Sequence, residues 1–200
     1  MLHEEVARLT RSWFGILMAA WKDHWPLARR WAFVKPRLLR LPHKAHGMEV
    51  DFCPLPDNVC DEHGLWLGLV VDHGLGLILM TSILDEPPIV QDLLKILSEA
   101  MECPLPSGRF RPEVVFLRDN PEWEQLFPHL GHVGIEAVVS EDLLYWDAKA
   151  EELIEWLKDR WSTPSEVVIQ TDEEPTIGKI LLELRILAHQ FLFFEQPEKK

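Results

Sequence analysis

Five side chains able to ligate zinc, His43, His46, Cys53, Cys60 and His63, lie between positions 43 and 63, and Cys60-x-x-His63 has workable local spacing. The paired CxxC arrangement of strong zinc motifs is missing, so ordinary loop histidines and core cysteines compete with a structural zinc. Arg109 and Arg111 flank Phe110 just ahead of an apolar run, where they are candidates to bind an anion or to form surface ion pairs. The segment from Arg29 to Lys44 holds Arg29, Arg30, Lys35, Arg37, Arg40 and Lys44 without an acid, with Trp31 and Phe33 between them and Trp25 just ahead. Such a segment can neutralise phosphates and stack on bases, or it can neutralise the protein's own acidic helices or a partner subunit's. No Gly-rich phosphate loop, Gly-x-Ser-x-Gly elbow or convincing Cys-His catalytic pairing occurs, which leaves P-loop nucleotide hydrolysis and acyl transfer without support.

These groups sit in a chain of 200 residues that is 47% hydrophobic, enough for one sizeable core. Its 20 Lys+Arg against 33 Asp+Glu give a formal net charge of −13, which disfavours nucleic acid and anionic membranes as partners despite the basic arm. Three cysteines form an odd, sparse set with no disulfide framework, as expected in a reducing cytoplasm. Glu4, Glu5, Arg8 and Arg11 interrupt the first residues, and the apolar run Trp13 to Trp21 is too short to cross a bilayer, so neither a signal peptide nor a membrane span is expected.

The elements that must position the candidate groups follow from periodicity. Val6, Leu9, Trp13, Ile16, Leu17 and Ala20 predict an amphipathic helix over the first ~22 residues, after which Pro26 and Pro36 are expected to break regular structure. Strands are expected at Glu49 to Leu55, Leu65 to Val71 and Leu75 to Ser82, the last two joined by a tight turn at Asp72-His73-Gly74. Val90, Leu93, Leu94, Leu97 and Met101 trace a helical face, and Glu113 to Leu117 reads as a buried strand. Asn120 and Pro121 can open a helix with Trp123, Leu126, Phe127 and Leu130 on one face, kinked or restarted at Pro128. A strand at Ile135 to Val139 and a long helix lined by Trp146, Ala150, Leu153, Leu157 and Trp161 come next, then a strand at Glu166 to Gln170 and a helix from Thr176 to about Phe194.

Within this order three segments stand out: Met48 to Leu55, Arg118-Asp119-Asn120-Pro121-Glu122-Trp123, and Ala148 to Ile154. The stretch from about Met48 to Lys158 resembles the catalytic core of retroviral-type integrases and transposases, which have a ribonuclease H-like fold. Leu130-Gly131-His132-Val133-Gly134-Ile135 also resembles the Leu-Gly-Ile that follows the family's Asp-Asn motif. The resemblance implies Asp51, Asp119 and Glu151 as the family's three carboxylates, hard oxygen ligands for two Mg²⁺ or Mn²⁺ ions about 4 Å apart in phosphodiester chemistry. Pro121 replaces the family's Gly, and Glu152 and Glu155 crowd Glu151 with further acid. A second resemblance, carried by Ala100-Met101, Arg111 to Val114 and Leu130 to Ala137, is to an uncharacterised bacterial domain family with no assigned activity.

The expectation is therefore an α/β (α+β) protein with a mixed sheet in ribonuclease H-like order βββαβαβα. It divides into an N-terminal helix and basic arm (1–48), a core (49–162) and a C-terminal strand-helix extension and tail (163–200), forming one compact unit. Function is expected to be non-catalytic binding, through a protein partner or a homo-oligomer, with no cofactor. The alternative is a metal-dependent nuclease or strand-transfer enzyme using Asp51, Asp119 and Glu151 with Mg²⁺ or Mn²⁺.

Overall fold

Met48, Val50 and Phe52 alternate with Glu49, Asp51 and Cys53, and this period of two builds the central strand β1 (His43–Pro54) of the computed structural model. The residues described are 26–56, 64–105 and 108–162, with side chains through 159. The helix expected over the first ~22 residues, the strand and helix expected beyond Glu166, and Cys60 and His63 lie outside them. Strand β1 starts at His43 rather than Glu49 because its first residues pair with β4 (Arg111–Leu117): His43 stands opposite Arg111 and Lys44 opposite Pro112, before a bulge between Lys44 and Gly47.

Strands β2 (Trp66–Asp72) and β3 (Ile78–Leu84) form an antiparallel hairpin. Its connection is longer than the tight turn expected, and β3 starts at Ile78 rather than Leu75. Asp72 Oδ1 accepts the N–H groups of Gly74 and Leu75 at 2.9 and 2.7 Å, and Gly76 turns the chain at φ +64°. Strand β5 (Glu136–Val139) pairs in parallel with β4, and β4 in parallel with β1. The sheet order is β3-β2-β1-β4-β5, with β2 antiparallel to its neighbours. Helices after β3, β4 and β5 complete the βββαβαβα order of a ribonuclease H-like fold, as expected.

Two apolar layers cover the sheet. On one side lie α2 (Val90–Glu102), a 3-10 turn (Trp123–Leu126) and the short helix α3 (Phe127–Gly131) opened around Pro128; Met48, Val50, Phe52, Leu93, Leu97, Trp123 and Leu130 share that core. On the other side lies α4 (Leu144–Ser162), whose Trp146, Ala150, Leu153 and Leu157 recur at helical spacing and pack on Leu67, Leu69 and Val71.

The basic arm is not irregular. Residues Leu27–Leu38 form helix α1, and Pro36 sits inside it rather than breaking it, because only the last turn follows the proline. Trp31 and Leu38, seven residues apart, are buried in the core on the α2 side, so Trp31 is a packing residue and not a stacking platform. Arg37 pairs with Glu102 at the end of α2, which neutralises part of the arm internally. Among the described residues no helix is long and apolar enough to cross a membrane.

Candidate functional site

Strand alternation puts Glu49 and Asp51 on the face of β1 that α4 covers. The parallel register sets Glu49 opposite Phe116 and Val50 opposite Leu117, so the residue that comes beside Asp51 is Arg118. Asp119 falls one position further and is exposed. A one-residue step reverses the face on which a side chain lies, and here it exchanges an acid for a cation.

The Arg118 guanidinium uses each of its nitrogens. Nε donates to Asp51 Oδ2 at 2.6 Å, one terminal nitrogen donates to the Glu141 carbonyl at 2.9 Å, and the other pairs with Asp147 in the first turns of α4. Its carbon lies 5.6 Å from the centroid of the Trp146 ring. Burial pushes the Asp51 pKa above the ordinary carboxylate value, outweighing the hydrogen bond from the Phe52 backbone and the pull of Arg118, while the nearby Asp147 adds to the rise. Cys53, two residues along the same strand face, has its thiol pushed up to about 11 by burial and by Asp51.

Glu49 is only 1% exposed, and both its oxygens are engaged. Oε1 lies 2.7 Å from His73 Nδ1, and Oε2 accepts the backbone N–H of Trp146 at 2.7 Å. A strand carboxylate thus caps α4, where the free N–H groups and the helix dipole favour negative charge. The Trp146 indole donates to the Leu69 carbonyl at 3.1 Å, while the His73 ring stacks on Phe116 at 4.2 Å and meets Tyr145 edge-on at 5.7 Å. Glu49, His73, Arg118 and Asp147 were not singled out by sequence reasoning. The available signal was Glu49 and Asp51 alternating within an otherwise apolar strand, which marks two acids on one covered face.

Of the three acids implied by resemblance, Asp51 alone joins this cluster. Asp119 and Glu151 are exposed, and Glu152 pairs with Lys149 at 2.8 Å. Among the described residues no group of three or more His, Cys, Asp or Glu could hold a metal ion. A two-metal centre needs converging oxygen ligands, whereas the cation between Asp51 and Asp147 here is a guanidinium; the described residues do not fit Mg²⁺ or Mn²⁺. Of the zinc candidates among the described residues, His43 and Cys53 stand ten positions apart on one extended strand, roughly 33 Å, beyond reach of a common ion. His46 lies 3.6 Å from Asp72. Arg109 is exposed, and Arg111 opens β4, its Nε buried without a hydrogen-bond partner among the described residues.

No family model matches the sequence, and no curated protein matches it. Solved structures similar to this chain include the catalytic core domain of BIV integrase, at 14% identity and TM-score 0.47 over 72% of this chain and 83% of that one. The HTLV-2 integrase catalytic core domain in complex with magnesium is similar at 12% identity and TM-score 0.45, over 73% and 84%.

Proposed function

We propose that this chain is a non-catalytic binding and self-associating module of the cytoplasm, built on a ribonuclease H-like sheet. The observation that supports the reading is the bridge Asp51–Arg118–Asp147, in which a fixed protein cation, and not a metal ion, pairs with Asp51 and Asp147. A guanidinium cannot be exchanged for solvent or substrate, accept a proton or activate water. The cluster instead ties β1, β4 and the start of α4 together and stiffens the surface around them.

The test is titration of the purified full chain with Mg²⁺ and Mn²⁺ by calorimetry, alongside incubation with single- and double-stranded DNA and RNA. Neither saturable ion binding nor metal-dependent cleavage is expected. Saturable Mn²⁺ binding together with cleavage abolished by Asp51→Asn would overturn the reading in favour of a nuclease or strand-transfer enzyme using Asp51, Asp119 and Glu151.

A further inference from the structure

Two exposed apolar surfaces of this molecule carry opposite charge. Leu75 is 68% exposed in the β2–β3 turn, and Leu144 and Tyr145 are 73% and 39% exposed at the start of α4. The turn and the helix start are in contact there, since a Cβ at Gly76 would lie 3.1 Å from Tyr145 Cδ1. This ridge is rimmed by the exposed acids Glu141 and Asp142. The second surface is the outer side and end of α1, where Phe33 and Leu39 are 50% and 49% exposed. Arg37 lies over the Phe33 ring at 5.2 Å, and Arg40 follows Leu39, within a run from 26 to 48 that holds no acid.

We infer that the cationic apolar surface of α1 docks on the acidic apolar ridge of a second copy. The ridge belongs to the α4 layer and α1 to the α2 layer, on opposite faces of the sheet, so one molecule cannot close the two surfaces on each other. The contact is heterologous: each copy offers one surface forward and the other back, and growth beyond a dimer follows. Exposed apolar side chains supply the burial, and the charges select the register, since like surfaces repel while unlike ones pair. This inference rests on the self-association in the proposed function but not on the Arg118 bridge.

The experiment is sedimentation of the full chain across a concentration series, with thermal melts confirming that each variant folds. The wild type is expected to form concentration-dependent species larger than a dimer. Asp142→Lys and Arg40→Glu should each weaken association about tenfold. The double variant, in which the altered charges again oppose each other, should recover most of the loss. Leu144→Ser, at a side chain that contributes little to the monomer's core, should weaken association without lowering the melting temperature. A monomer at every attainable concentration would overturn the inference, as would association indifferent to both charge reversals. Metal binding in the calorimetric titration would instead overturn the non-catalytic reading and leave this contact untouched.

Discussion

A carboxylate as buried as Glu49 must have its charge met from within the protein, and His73 and the Trp146 N–H meet it. Glu49→Ala would leave a buried N–H and an imidazole without their acceptor and is expected to destabilise the fold by about 3 kcal/mol in urea unfolding, with Glu49→Gln milder because one oxygen can still accept. Asp51 behaves differently. Burial raises its folded pKa above the unfolded value, so protonation favours the fold: its contribution is full below the unfolded pKa and is lost as pH rises through the folded one. The stability of the wild type relative to Asp51→Asn should therefore decline as pH rises through the ordinary carboxylate range and on through the raised folded pKa. A rise over that range would show that Arg118 pairing outweighs burial. The protonated Cys53 thiol is a poor nucleophile at neutral pH, so iodoacetamide followed by peptide mass spectrometry should label it more slowly than the exposed Cys103 until the protein is unfolded.

At the scale of elements, the sheet depends on a fit between opposite residues of β1 and β2. Gly68 stands across from Phe52, and a Cβ at Gly68 would lie 2.5 Å from the Phe52 ring and 3.1 Å from Ile96 of α2. Gly68→Ala should cost about 1–3 kcal/mol by forcing that ring out of place, measurable as a lowered urea midpoint with an unchanged slope. Much of the element order was legible because strands and helices here carry their own periods: Val90 to Met101 and Trp146 to Leu157 announce helices, and the three strands before them are apolar runs bounded by turn residues. The helical arm is not legible in sequence because Pro36 weighs against a helix locally, while the burial of Trp31 and Leu38 that holds α1 together is tertiary. The site was partly legible. The order of the acids follows from sequence, but which of two adjacent residues faces Asp51 depends on the register between β1 and β4, set by pairings dozens of residues apart. Arg118 and Asp119 cannot be ranked without it.

For the whole molecule, a net charge of −13 sets copies against each other even where local surfaces attract. The two effects act over different distances. Repulsion between whole molecules reaches ~30 Å at 0.01 M salt but only ~10 Å at 0.1 M, whereas pairing at a contact survives until screening reaches ~3 Å near 1 M. Association should thus strengthen between about 0.01 and 0.1 M salt and weaken towards about 1 M, a profile that sedimentation at fixed protein concentration resolves.

The cap that Glu49 places on α4 spans 97 positions of sequence, and the link from Asp51 to Arg118 spans 67. A chain with such distant partners folds slowly, because long loops must close before their contacts give anything back. During synthesis β1 emerges ahead of the other strands with two acids facing the side that will be covered, and that face stays open to water until Trp146 and the rest of α4 arrive. Amide protection of β1 is therefore expected to appear together with that of α4 and not with the β2–β3 hairpin, which makes the last helix of the core the step that commits the chain to its fold.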